Sequence, residues 1–600
     1  MKYYNSIIIY NFFFNLFLEI LSQQLGNNTG AYLKTPDPSK LQYRTGNALS
    51  TDEKYFGNFS NFPDFVKNAG FNTIRKKFKE IDFEDVKELN FLNRSKELVI
   101  SDMIGYLTTP INDHSSKENE NSNKCKPSNL YEPIWLSDIK VNPNNFWANY
   151  TFNTITKYKD YIKIWTIWNK PDFTSFPETN KNWILHPPNP SDLDNWNATI
   201  FEFIRMMRIT YEIAKKIDPE CWVAVSTLSH YEFLDSLMRY TDNPNNGEIN
   251  IEYPDYGGAY FDCVGFIKNP KGDIIDIEGN KTYNKNGSDS LVQKIYIAKK
   301  NFENITRKYG FGINYPAKIF INDETGLASN DSCNILGGET LRKNWIIKLS
   351  LLSLEYDIKQ NHNKYLFDSS DCGYGDYYPV NILEKEDTFL HLRSSSEVRK
   401  ILRKINLEKY VFERNKTFIL RQNLPEDLRG IILKRQFPKE KDDEYNYNYI
   451  YSLWRFCEDK EIQDVIEYEL NIPFNPIMIN YYGNKIIETN ITNSTKIKIS
   501  STPLFLLGNI ENEKEEEKEG KEEKEGKEEK EEKKKNEKNE EENFNNKLKF
   551  IVIFCVVILA IAFMLLLFFL CRKFKRMKNI GHNNINNDIN KIDLLDKYMD

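Results

Sequence analysis

Between residue 41 and about residue 376, short runs of β-favouring residues alternate with amphipathic stretches, the pattern of a parallel sheet whose strands are joined by crossover helices. Eight strands are predicted, at 43–49, 72–76, 97–104, 162–168, 222–227, 263–267, 318–323 and 364–368. The segment 200–217 shows why the intervening stretches read as helices. Phe201, Ile204, Ile209, Ile213 and Ile217 recur at spacings of three to five, one apolar stripe that can lie on a sheet. Eight strand–helix repeats predict a (β/α)8 TIM barrel with insertions, and such a barrel presents its functional groups at the C-terminal ends of the strands.

The pattern changes twice more. Residues 111–129 are rich in Asn, Ser, Lys and Glu and read as a solvated loop after the third strand. A last helix near 395–410, with Val398, Ile401, Leu402, Ile405 and Leu407 in register, is expected to close the barrel, which then spans 41–410. Beyond it come short β-rich runs at 430–437, 449–456, 464–470, 476–482, 485–489 and 496–500, with a hairpin turn at Tyr482-Gly483-Asn484 and a closing strand at 503–507. That series predicts a small antiparallel β-sandwich over 411–508.

The two ends carry a different signal. Residues 1–24 pair Lys2 with an apolar run from Ile7 to Ile20 and a polar Ser22-Gln23-Gln24, the layout of a secretory signal peptide. Residues 550–570 are an unbroken apolar run of 21 residues, long enough to cross a bilayer as a helix. Arg572, Lys573, Lys575, Arg576 and Lys578 follow at once, which assigns the tail 571–600 to the cytosol and the rest of the chain to the extracellular or luminal side. Between the sandwich and this run, 511–545 is a Glu/Lys-rich low-complexity tract with no apolar face to bury, a solvated stalk. The expectation is a single-pass, type I membrane glycoprotein; twelve Asn-x-Ser/Thr sequons, Asn197 and Asn490 among them, fit it.

Composition narrows the function. A formal net charge of -6 and the lack of a polybasic stretch in the predicted folded part argue against nucleic acid as a partner. Six cysteines (Cys125, Cys221, Cys263, Cys333, Cys372, Cys457) fall in the exported part, where some can pair, with fifteen full connectivities open. They show no CxxC or Cys/His ligand spacing, so neither a structural metal nor a cofactor is expected.

The stretch that organises the candidate chemistry is 163–172, Lys-Ile-Trp-Thr-Ile-Trp-Asn-Lys-Pro-Asp, a strand that runs into a tight turn and presents Asn169 and Lys170 where a barrel strand opens onto its loop. It resembles the W-x-I-W-N-E-P-D signature of clan A glycoside hydrolases, especially the family 39 group of β-xylosidase and α-iduronidase relatives. In that family the Glu after Asn is the general acid/base; here the position is Lys170. The resemblance extends to 316–326, an apolar strand ending in Glu-Thr-Gly, and implies that Glu324 is the nucleophile, with Asp323 as the nearby alternative. It implies further that Arg75 supports the nucleophile and that Asn169 bonds a sugar 2-hydroxyl. Trp165, Trp168 and Tyr365 are candidates for the apolar walls of a pyranose site. Where relatives end strand six with a His-Tyr type pair, this chain has Ile267 and Lys268.

An ammonium is a poor acid at neutral pH, and once neutral it must also activate water for the second half of a retaining reaction. A Lys170–Glu324 ion pair across the cleft is therefore expected, with Asp172 or Glu178 as possible relocated acids. Three functions follow as expectations: a glycoside hydrolase-like ectodomain that binds carbohydrate with hydrolysis lost or weakened, an active retaining O-glycosidase with a relocated donor, and a non-catalytic structural or adhesive surface protein.

Overall fold

A computed structural model describes residues 36–510, apart from 49–61, 81–85, 117–123, 176–179, 271–272, 278–279, 285–286, 328–337, 365, 367–376, 382–387, 439–442, 461–463 and 483–484. The signal-peptide, stalk and membrane-span assignments lie outside the described residues. No helix among the described residues is long and apolar enough to cross a membrane.

Eight parallel strands close on themselves: β1 (Arg44–Ala48), β2 (Thr73–Phe78), β3 (Met103–Leu107), β4 (Ile162–Ile167), β5 (Trp222–Leu228), β6 (Cys263–Ile267), β7 (Ile319–Thr325) and β8 (Ile358–Asn363), each hydrogen-bonded to its neighbours in chain order and β8 to β1. Helices lie between successive strands, among them α1 (Phe62–Asn68), α2 (Val86–Glu97), α3 (Phe146–Tyr158), α4 (Ile200–Ile217), α5 (Tyr231–Arg239), α6 (Ser288–Lys308) and α7 (Gly338–Glu355). This is the expected (β/α)8 barrel. The predicted stripe of α4 faces inward, with Ile204, Ile209 and Ile213 fully buried, and the helix starts where Thr199 and Glu202 form a reciprocal capping box.

Two strands differ from expectation. The pattern predicts the third at 97–104, but Glu97 ends α2, and Val99 and Asp102 take left-handed backbone angles (φ 57° and 48°), so the apolar run there is a helix-to-strand turn and pairing begins at Met103. The pattern predicts the eighth at 364–368, whereas β8 is Ile358–Asn363 and reads Ile-Lys-Gln-Asn-His-Asn. Gln360 and His362 lie in the barrel interior and Asn361 bonds Ser353 of α7 on the other face, so no apolar pattern marks the strand in the sequence. The expected helix near 395–410 is broken into Ser394–Glu397, Arg399–Lys404 and a 3-10 turn at Leu407–Lys409.

A six-stranded antiparallel sheet follows, in the order Tyr410–Phe412, Leu428–Arg435, Tyr449–Arg455, Leu504–Gly508, Ile477–Tyr482, Lys485–Asn490, with Ile466–Glu469 and Lys496–Ile499 paired as a separate ribbon. Alternation decides its two faces. Leu428, Ile432, Tyr451, Leu453, Leu504 and Leu506 pack with Ile497 and Ile499 of the ribbon, whereas Ile431, Leu433, Ile450, Trp454, Phe505 and Leu507 join the core that surrounds the barrel. Asp289 of α6 ties the two parts together. Its carboxylate accepts from Lys348 Nζ (2.6 Å), Trp454 Nε1 (2.9 Å) and the Cys457 backbone N–H (2.8 Å), all buried.

Candidate active site

The barrel interior is layered. Its lower part is filled by Leu41, Ile104, Ile164, Trp222, Ala224, Cys263, Ile319 and Ile321, an apolar plug. Above it, toward the C-terminal ends of the strands, the inward side chains turn polar and titratable: Arg75 on β2, Tyr106 on β3, Thr227 on β5, Asp323 and Glu324 on β7, and His362 on β8.

Strand β7 delivers two consecutive carboxylates to one place because its pairing slips. Alternation after Ile319 and Ile321 would send Asp323 inward and Glu324 outward. The register with β6 skips from Asn322 to Glu324 and that with β8 from Asn322 to Thr325, and both carboxyl groups reach the mouth. Gly265 on β6 makes room: a Cβ there would stand 2.3 Å from the Ser226 carbonyl oxygen and 3.1 Å from Asp323 Oδ2.

On the facing side, β4 ends in strained backbone. Trp168 and Lys170 both take left-handed angles (φ 61° and 49°), costly for large side chains and held only where the surroundings fix them. The Trp168 indole donates to the Asn195 carbonyl (2.9 Å), and the Asn195 side-chain amide donates back to the Lys170 carbonyl (3.2 Å). This turn corrects the reading of Trp168 as a wall for the sugar. The left-handed angle swings its ring out against Trp147 and Trp196, and at 1% exposure it offers no face to a ligand. Trp165 is likewise buried, against Phe78.

The same turn brings Lys170 and Glu324 together. Lys170 Nζ lies 2.6 Å from Glu324 Oε2, and Lys364, just past β8, lies 3.5 Å from the other carboxylate oxygen. Glu324 is 2% exposed, while the Lys170 side chain keeps 20% and Lys364 27% of their surface. Burial alone would push the Glu324 carboxyl up; the Lys170 ammonium, with Arg75 and Lys364, outweighs it and holds the pKa below the ordinary range.

Arg75 acts on both carboxylates, and its direct partner is Asp323, the alternative to Glu324. Its Nε sits 3.3 Å from Asp323 Oδ1, both groups 1% exposed, and only its longer-range charge reaches Glu324. Its Nη2 donates to Thr227 Oγ1 (2.9 Å) and Asn169 Oδ1 (3.3 Å), its guanidinium lies over the Tyr106 ring (4.2 Å), and the Thr227 hydroxyl donates to Asp323 Oδ2. Burial raises the Asp323 carboxyl above its ordinary value against the opposing pull of Arg75. Two adjacent carboxyl groups are thus pushed in opposite directions, one toward holding a proton and one toward staying ionised. His362 is kept neutral, lowered to about 3 by burial and then by the Arg75 charge, with Nε2 2.8 Å from Gln360 Oε1.

The sequence residues Arg75, Asn169, Lys170 and Glu324 therefore meet in one cluster, and Tyr365 and Glu178 lie outside the described residues. Asp172 is fully buried; its Oδ2 accepts from the Ser229 and His230 backbone N–H groups (both 2.6 Å), and burial pushes its carboxyl up to about 7. Sequence reading missed Thr227, His362 and Lys364. The last two follow from the misplaced eighth strand, and the signal that would have found them is a polar run bounded by an apolar helix, at the spacing where the final strand is due.

No family model matches the sequence, and no curated protein matches it. Among solved structures, the fold is similar to a glucosidase from Croceicoccus marinus (8% identity, TM-score 0.43, 78% of this chain and 95% of that one), a family 44 xyloglucanase from Paenibacillus polymyxa (10%, 0.40, 78% and 96%) and a monomeric β-xylosidase from Caulobacter crescentus (11%, 0.42, 79% and 96%). These are glycoside hydrolases, and likeness at this level concerns the fold alone.

Proposed function

We propose that this chain is an exported, single-pass membrane glycoprotein whose family 39-like barrel binds carbohydrate at its C-terminal mouth, with glycoside hydrolysis lost or severely reduced because Lys170 stands where the acid/base glutamate is expected. The observation that carries the reading is the 2.6 Å contact between Lys170 Nζ and Glu324 Oε2. Retaining hydrolysis needs two carboxyl groups about 5–5.5 Å apart, one of them able to donate a proton to the leaving oxygen. In this mouth the partner of Glu324 is a cation bonded to it. Loss of acid/base help costs about 10²- to 10⁴-fold in rate, so substrates with good leaving groups retain a trace of turnover.

The test compares the purified protein with its Lys170→Glu variant on a panel of aryl glycosides and a glycan array. Glycan binding by both, with hydrolysis at least about 10²-fold faster in the variant, is the expected result. A folded pair that neither binds nor hydrolyses would sink the reading and leave the barrel as scaffold for a structural or adhesive protein.

A second reading, an active O-glycosidase with a relocated donor, is favoured by one observation. Asp172, two residues beyond Lys170, has its carboxyl pushed up to about 7, a value suited to a general acid near neutral pH. Full burial and two backbone donors hold it away from the mouth, which places this reading second. Equal hydrolysis by the two proteins, abolished by Asp172→Asn, would reverse that order.

A further inference from the structure

Resting on the reading of the mouth as a sugar cleft, we propose that Lys170 forms a reversible imine with the open-chain carbonyl of a reducing sugar, with Glu324 carrying the protons. A primary amine becomes a nucleophile toward carbonyls when a base beside it takes its proton and returns it to the oxygen that must leave. Glu324 Oε2 is in place for this, 2.6 Å from Nζ. The geometry is asymmetric in the required sense: the carboxylate is 2% exposed beneath the amine, and the amine is the more open of the two. Lys364 on the other carboxylate oxygen, at 3.5 Å, shares the Glu324 charge, so Lys170 does not hold it alone. The left-handed backbone at Lys170, pinned through its carbonyl by Asn195, keeps the side chain over the mouth.

The steps balance without an outside reagent. The contact rests as ammonium and carboxylate; in the small fraction of molecules where the proton passes from Lys170 to Glu324, the nitrogen lone pair adds to the carbonyl carbon as Glu324 gives that proton to the carbonyl oxygen. Glu324 then takes a second proton from nitrogen and gives it to the new hydroxyl, the C–O bond breaks, and water leaves. The sum is ammonium plus aldehyde giving iminium plus water, with Glu324 again a carboxylate. Hydrolysis runs the same path backwards and frees the sugar. A lysine in place of the acid thus turns a site for cleaving an acetal into one for capturing a free reducing end.

The experiment incubates the purified full-length protein with D-glyceraldehyde or D-xylose and cyanoborohydride, which reduces an imine to a stable secondary amine, and follows labelling by peptide mapping. Lys170 should be labelled at least about tenfold faster than Lys300, a surface lysine 45% exposed, and Glu324→Gln should slow Lys170 by about 10²-fold. Labelling of Lys170 no faster than Lys300 in the wild-type protein would overturn the proposal. So would faster labelling in the Glu324→Gln variant, because the carboxylate would then only sequester the amine. Glycan binding measured in parallel without reductant separates the two failures: binding without labelling refutes this step alone, and loss of both refutes the cleft reading beneath it.

Discussion

Replacing Arg75 with methionine keeps most of the side-chain volume and removes the cation that Asp323 faces inside the barrel. Both groups are 1% exposed. Truncating one partner of such a buried pair costs about 3–5 kcal/mol, because the other is left charged and unpaired. The loss also strips the donors to Thr227 and Asn169 and the contact with the Tyr106 ring. Asp323 has one escape, which is to bind a proton. Burial already raises its pKa, Arg75 holds that rise down, and the variant lets it rise further. The sign follows from linkage. Between the ordinary carboxyl value and the raised folded value, the folded state carries a proton that the unfolded chain lacks, so stability falls as pH rises, by at most about 1.4 kcal/mol per pH unit. The difference between wild type and variant should therefore be smaller near pH 4, where only the lost donors and ring contact count, and reach its full size near pH 7. Urea midpoints read by tryptophan fluorescence at the two pH values measure it, and the double variant Arg75→Met/Asp323→Asn should recover at least half of the loss at pH 7. A loss below about 1 kcal/mol, or one equal at both pH values, would refute the assignment of Arg75 and Asp323 as a buried pair that holds the upper layer together.

Asp172→Asn tests a second raised carboxyl. With a folded value of about 7 against an ordinary 3.8, Asp172 contributes stability that is complete below its ordinary pKa and lost as pH rises toward 7, so the variant should gain on wild type in melting temperature between pH 4 and 7. A pH-independent difference would contradict the burial argument. Gly265→Ala places a methyl 2.3 Å from the Ser226 carbonyl and against Asp323, and should cost about 1–3 kcal/mol and weaken glycan binding, read by thermal melting and titration; normal binding would mean that β6 does not set the position of Asp323. Thr199→Ala removes the capping box of α4 and should lower stability by about 1 kcal/mol in the same melts with binding unchanged, whereas altered binding would show that α4 reaches the mouth.

The barrel is legible in the sequence because most of its strands and helices obey simple periodicities. Strands β4 and β6 and helix α4 are apolar where they touch the core, and their expected positions agree with the structure to within a residue. The sheet strands after residue 428 are equally plain. Periodicity fails at β8, whose Gln360 and His362 fill a polar layer inside the barrel, and before β3, where left-handed Val99 and Asp102 turn an apolar run into a connection. Residues of the cluster at the strand ends are legible where a local motif carries them, as with Asn169, Lys170 and Glu324. They were missed where only closure of the barrel brings them in, as with Thr227 and Lys364. Trp168 fails for a third reason: its identity matches the motif, but its direction depends on a backbone angle that no side-chain pattern encodes.

That angle also bears on whether the mouth is a site or only a scaffold. Two large residues in left-handed conformation each cost about 1–3 kcal/mol, and both lie within three residues, at the end of one strand. Across the mouth, the slipped register of β7 gives up regular pairing and brings a second carboxyl inward, where it must be desolvated and compensated. The angle at Trp168 packs its ring on Trp147 and Trp196, but neither the angle at Lys170 nor the slip of β7 has such a return, since a regular β7 would direct Glu324 to the outer face and leave one carboxylate fewer to neutralise. What the two distortions achieve together is to set the Lys170 ammonium against the Glu324 carboxylate at the open end of the barrel. The scaffold reading must explain this as coincidence, whereas a binding cleft requires polar groups fixed in direction before the ligand arrives. If the strain serves the cleft, Lys170→Gly, which relieves the left-handed angle, should be about 1 kcal/mol more stable than Lys170→Ala, which removes the same amine and keeps the strain, and both should weaken glycan binding. Unchanged binding in both variants would show that the turn is held for the fold alone.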